Sequence, residues 1–94
     1  MMLMSATALV LAIEEEGLIP ILQETARNLD RAQGEVVLDF SSVRRMNSSA
    51  VRALEDFARV ADEKALKVVL RGVNVDVYKV LHLVKLTGRI SFQH

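Results

Sequence analysis

The apolar residues of this chain follow two different spacings, and the two alternate along its length. Ser5 to Ile13 (SATALVLAI) is an apolar run with no polar helical face, and Glu35 to Phe40 (EVVLDF) and Leu66 to Leu70 (LKVVL) are short runs rich in Val and Leu. Each reads as a strand, and the first, apolar throughout, as one covered on both sides. Between them, apolar residues recur every three or four positions, as on one face of a helix. Ile21, Leu22, Thr25, Ala26 and Leu29 form the first such stripe, opposite Gln23, Glu24, Arg27 and Asp30. Val51, Leu54, Phe57, Ala58 and Ala61 form the second, and Val77, Val80, Leu81 and Val84 the third. Strands alternating with helices imply right-handed crossovers and a largely parallel sheet.

Local signals set the expected boundaries. Pro20 suits the first turn of a helix, where a missing N–H costs nothing. Gly34 is placed to end that helix. Arg71-Gly72 closes the third strand, and Asn74 is an N-cap for the third helix, which Thr87-Gly88 should stop. Arg89 to Phe92 can add a short edge strand. On the second helix, Arg52 with Asp56 and Glu55 with Arg59 stand four apart, pairs worth a few tenths of a kcal/mol each. The expectation is an α/β fold with an open, largely parallel sheet of about four strands and three main helices. Ninety-four residues make one domain, residues 1–94, because a second would be too small to bury a core.

Charge and composition narrow the function. Twelve basic and twelve acidic residues cancel, so no overall field draws the chain to nucleic acid or an anionic membrane. With one Tyr and no Trp there is no aromatic platform for single-stranded nucleic acid. The absence of Cys excludes disulfides, thiolate nucleophiles and zinc–sulfur sites, and fits a reducing, cytoplasmic setting. Met1 to Ile13 is apolar, yet no Lys or Arg precedes it and Glu14-Glu15-Glu16 follows, the wrong flanks for export. It is also too short to span a bilayer, so no membrane insertion is expected.

In open α/β sheets, ligands and switches gather beyond the carboxyl ends of the strands. Here that place is the stretch between Phe40 and Val51, which holds four serines, Asn47, Arg44 and Arg45. Ser48 and Ser49 fall at the cap or first turn of the second helix. Unpaired N–H groups and the helix dipole favour negative charge there, so a phosphate on serine would be accommodated and would repel an acidic partner. Helix capping by Asn47 and Ser48 explains the same residues without regulation. Arg44 and Arg45 can steady such a phosphate, or can be solvated loop side chains.

Catalysis has little to stand on. His82 and His94 read as solvated surface residues, and HExxH, GxSxG and P-loop patterns are missing. Asp39 is expected to accept hydrogen bonds from loop N–H groups of Ser41 or Ser42. Glu14 to Glu16 read as a solvated turn, since adjacent carboxylates cannot face one point. The expectation is a protein that is no enzyme and needs no cofactor or metal.

Residues 36–86 resemble the STAS domains of bacterial anti-sigma factor antagonists. That family shows a strand ending Val-Leu-Asp-Leu, a short Ser-containing loop, and Asp-Ser-Ser-Gly opening a helix. Val36-Val37-Leu38-Asp39-Phe40, Asn47-Ser48-Ser49-Ala50 and Val69-Leu70-Arg71-Gly72-Val73 match in order and spacing. The resemblance implies a transcription regulator acting by protein–protein interaction with an anti-sigma factor that is also a serine kinase. It implies Ser49 as phosphoacceptor, with Ser48 beside it. Arg44, Arg45, Asn47, Ala50, Val51, Arg52 and Glu55 complete the implied partner surface. Asn47 stands where the family has Asp, Ala50 where it has Gly, and one strand where it has an N-terminal pair. Asn47 and Ala50 favour an alternative: a non-phosphorylated scaffold subunit, stressosome-like or beside a lipid transporter. A small-ligand binder or enzyme using the strand-end crevice is a third reading, and a homodimer through an open sheet edge is compatible with each.

Overall fold

A computed structural model of the chain describes residues 9–29 and 34–93, the side chain of Thr87 apart. Four strands form one sheet: β1 (Leu9–Glu14), β2 (Glu35–Ser42), β3 (Lys67–Arg71) and β4 (Ile90–Gln93). They lie in the order β1-β2-β3-β4, and every neighbouring pair is parallel. The crossovers carry α1 (Leu18–Arg27), α2 (Ser48–Glu63) and α3 (Val75–Leu83), with 3-10 turns at Glu15–Gly17 and Leu86–Gly88. The open α/β sheet with three helices is the fold that the alternation of apolar spacings implied.

Sequential parallel strands with right-handed crossovers place all the helices on the same side of the sheet. The core reflects this. Val36, Leu38 and Phe40 of β2, Val68 and Leu70 of β3, and Ile90 of β4 join the helix stripes Leu18, Leu22, Leu54, Phe57, Val77 and Leu81 in one buried cluster. The opposite face carries the rows Val10, Val37, Val69, Ser91 and Ala12, Asp39, Arg71, Gln93. β1 is therefore not covered on both sides as its apolar run suggested: Val10 is 52% exposed. The strand starts at Leu9; Ser5 to Ala8, like Asp30 and His94, lie outside the described residues.

Helix ends differ from expectation for local reasons. α1 starts at Leu18, two residues before Pro20, and Asn28 closes it, donating its backbone N–H to the Thr25 carbonyl. Gly34 is not its cap. With φ +83° it leads into β2, and its carbonyl accepts the Lys67 N–H at 3.0 Å. α3 ends before Thr87-Gly88, because Lys85 adopts a left-handed conformation (φ 64°). On α2, Arg59 pairs with Asp56, three residues away, at 2.9 Å, rather than as drawn from the four-residue spacing. Both side chains are exposed, so the pair adds little.

Candidate functional site

The carboxyl ends of β1, β2 and β3 open onto one rim, and the irregular segment from Val43 to Asn47 crosses it. Val43 and Met46 are buried and anchor the segment from below; Arg44 and Arg45 between them are exposed. Asp39, in the second half of β2, accepts hydrogen bonds from the Ser41 N–H (2.9 Å) and the Ser41 hydroxyl (2.5 Å) through Oδ1. Arg71 approaches its Oδ2 at 3.4 Å. Asp39 thus ties Ser41, two residues on and still within β2, to its own carboxylate. The Ser41 bonds, then Arg71, hold its pKa below the ordinary value.

α2 begins where this segment ends. Asn47 is the N-cap, with extended backbone and a side-chain oxygen accepting the Ala50 N–H at 2.8 Å. Ser48, Ser49 and Ala50 are the first three helical residues. Ser48 and Ser49 are exposed, and neither hydroxyl makes a hydrogen bond among the described residues. Capping therefore rests on Asn47, and the two hydroxyls are left facing solvent beside the positive end of the helix dipole. Arg52 and Glu55 are exposed one turn further on.

Ala50 and Val51 are placed differently from the rest of the expected partner surface. They lie on the inward stripe of α2, 7% and 8% exposed, and belong to the core. The Ala50 Cβ consequently faces the protein interior, away from anything approaching Ser49. An edge of Val51, with Met46, Asn47, Ser48, Arg52, Glu55, Val80 and Val84, lines a shallow groove of about 350 Å³ between α2 and α3.

The acidic run after β1 has a role that its sequence did not reveal. One oxygen of Glu15 accepts the backbone N–H groups of Arg44 (2.7 Å) and Arg45 (3.1 Å). These two bonds, with the nearby arginine charges as a smaller contribution, hold the Glu15 carboxyl below its ordinary pKa. From the other side, Asn74 donates its side-chain N–H groups to the carbonyls of Val43 (3.3 Å) and Arg44 (3.2 Å). Its oxygen meanwhile caps α3 by accepting the Val77 N–H at 2.7 Å. Partners 29 to 31 residues away leave no local signal in a sequence.

His82 lies on the exposed side of α3, its ring stacked 6.1 Å from that of Tyr78. Among the described residues no three His, Asp or Glu side chains gather as a metal ion would require. No helix among them is long and apolar enough to cross a membrane.

The STAS domain family model matches residues 8–94. No curated protein matches the chain. Among solved structures, a serine-to-glutamate variant of Moorella thermoacetica RsbS is similar at 26% identity and TM-score 0.75, over 89% of this chain and 76% of that one. A chain in a structure of the stressosome, described as a signal integration and transduction hub, is similar at 28% identity and TM-score 0.70, over 88% and 77%. A Thermotoga maritima protein named as a candidate anti-sigma factor antagonist shares the fold, at 18% identity and TM-score 0.70 over 96% and 74%. With the family model matching nearly all of a chain that folds as a parallel four-stranded sheet, helices on one side and an exposed serine pair opening α2 at the rim, this protein belongs to the STAS domain family.

Proposed function

We propose that this protein is a binding switch of the anti-sigma factor antagonist kind, which docks an anti-sigma factor with serine kinase activity through residues 44–55. It acts in the cytoplasm by covering and releasing that partner, not by catalysis. The docking surface consists of Arg44, Arg45, Asn47, Ser48, Ser49, Arg52 and Glu55, all exposed. Ser49 is the phosphoacceptor. The observation that carries this reading is the division of labour at the start of α2: Asn47 caps the helix, which leaves the Ser49 hydroxyl free for modification. A phosphate there brings close to two negative charges onto a surface otherwise available to a partner.

Incubation with ATP and an extract of the source cells should add one phosphate, seen by mass, and Ser49→Ala should abolish it. An unchanged mass for the wild-type protein counts against the switch. Ser49→Asp should weaken partner binding by roughly 1–3 kcal/mol, the scale of a charge left poorly compensated in an interface.

The similarity to a stressosome chain supports a second reading, a scaffold subunit that is not phosphorylated. Under that reading Ser49→Asp leaves partner affinity nearly unchanged, and the protein is recovered in a large assembly by gel filtration.

A further inference from the structure

Arg44 is the residue of the rim segment held from both directions. Its N–H is bound by Glu15, which follows β1, and its carbonyl by Asn74, which follows β3. The neighbouring N–H of Arg45 and carbonyl of Val43 are bound by the same two side chains. Four backbone groups of a segment without regular structure are thus satisfied by two residues from its two flanking loops. The register of β1 against β2 shifts by one residue between Ala12 and Glu14, immediately before Glu15. Asn74 has both ends of its amide engaged, one on α3 and one on the segment.

We propose that Glu15 and Asn74 are positioning residues, which fix the path of the chain from Val43 to Asn47 and so the placement of Ser48 and Ser49 for the partner. The inference rests on the proposed reading in taking residues 44–55 as the docking surface. A segment already ordered loses little conformational freedom on docking, whereas a loose one must be ordered by the partner. Val43 and Met46 hold the segment down but leave the exposed Arg44-Arg45 peptides between them to these polar contacts. Neither residue touches the reacting hydroxyl; both act through the backbone between.

Three variants separate positioning from general stability. Glu15→Ala removes the acceptor. Glu15→Gln keeps an acceptor oxygen and discards the charge. Asn74→Asp keeps the α3 cap and replaces the donor with a carboxylate aimed at two carbonyls. Amide hydrogen exchange at Arg44 and Arg45, whose N–H groups Glu15 accepts, should quicken about tenfold in Glu15→Ala and Asn74→Asp, the scale of one lost hydrogen bond. Exchange at Val37 and Leu70 in the sheet should not change, and Glu15→Gln should stay within about threefold of the wild type. In the wild type, the Arg44 and Arg45 amide resonances should titrate together below the ordinary carboxylate range and lie flat in Glu15→Gln.

Phosphorylation of Ser49 by source-cell extract with ATP supplies the functional readout. The apparent KM for the protein should rise about tenfold in Glu15→Ala and Asn74→Asp with the maximal rate held, and Glu15→Gln should restore it. Unchanged exchange at Arg44 and Arg45 overturns the proposal, and so does faster exchange with an unchanged KM. If the wild-type protein takes up no phosphate, the phosphorylation switch falls instead, and the exchange data alone decide whether Glu15 and Asn74 position the segment.

Discussion

Ser41 and Gly72 meet at the rim so closely that a Cβ on Gly72 would collide with the Ser41 hydroxyl and lie 3.3 Å from its Cα. Gly72 also has φ +73°, a conformation that costs a side-chain-bearing residue about 1–2 kcal/mol. Two independent reasons therefore demand glycine. Gly72→Ala should lower stability by about 2–3 kcal/mol, backbone strain and overpacking combined. Urea unfolding should show this as a lower midpoint at unchanged slope. A loss under about 0.5 kcal/mol, the range of ordinary surface changes, would show that the turn relaxes freely. Adding Ser41→Ala should recover part of the loss but not the share due to φ.

Two carboxylates at this rim tie stability to pH. Glu15 and Asp39 both have folded pKa values below their unfolded ones, mainly through backbone N–H bonds for Glu15 and the Ser41 bonds for Asp39. A depressed carboxylate contributes stability that is present above its unfolded pKa and lost as pH falls through the folded value. Stability should accordingly stay level from pH 7 to about pH 5 and decline below about pH 4, through the unfolded carboxylate range and under it. Urea midpoints at intervals from pH 7 to 3 test this. Glu15→Gln and Asp39→Asn should each make the decline shallower, and an unaltered slope in both would refute the assignment.

The sequence made the element order legible, because the switch between the two apolar spacings depends only on residues close along the chain. It misjudged β1, whose run from Leu9 to Ile13 is apolar throughout although Val10 is exposed. Strand order decides that: β1 is an edge strand, so on the face away from the helices Val10 is exposed while its row neighbours Val37 and Val69, flanked by strands on both sides, are buried, and order is set by contacts between distant segments. The rim was legible in part. Asp39 bonding the Ser41 N–H and Asn74 capping α3 are two- and three-residue relationships, and both were foreseen. Glu15 reads as a solvated turn residue because its partners stand 29 and 30 positions away.

Ala50 illustrates how burial revises a motif comparison. Beside a family pattern that has Gly, its methyl group looks like an obstacle to a docking partner. It is instead in the core, on the stripe with Val51 and Leu54. Ala50→Gly should therefore reduce stability by about 1 kcal/mol, from helix propensity and a lost buried methyl group. Partner affinity should not improve. Tighter binding by Ala50→Gly, measured by titration calorimetry with the partner kinase, would place the partner backbone where the structure puts the core.

Asn47, Ser48 and Ser49 should separate cleanly in a stability series. Asn47 makes the one capping bond, to the Ala50 N–H, while the serine hydroxyls make none among the described residues. Asn47→Ala should cost about 1 kcal/mol, the usual value of a lost N-cap. Asn47→Asp keeps the acceptor and adds negative charge at the positive helix end, so stability should hold or rise by about 0.3–1 kcal/mol. Ser48→Ala and Ser49→Ala should each stay within about 0.5 kcal/mol of the wild type. Thermal unfolding followed by circular dichroism distinguishes the cases. A Ser49→Ala loss as large as that of Asn47→Ala would mean the hydroxyl is spent on holding the helix, leaving modification to compete with folding.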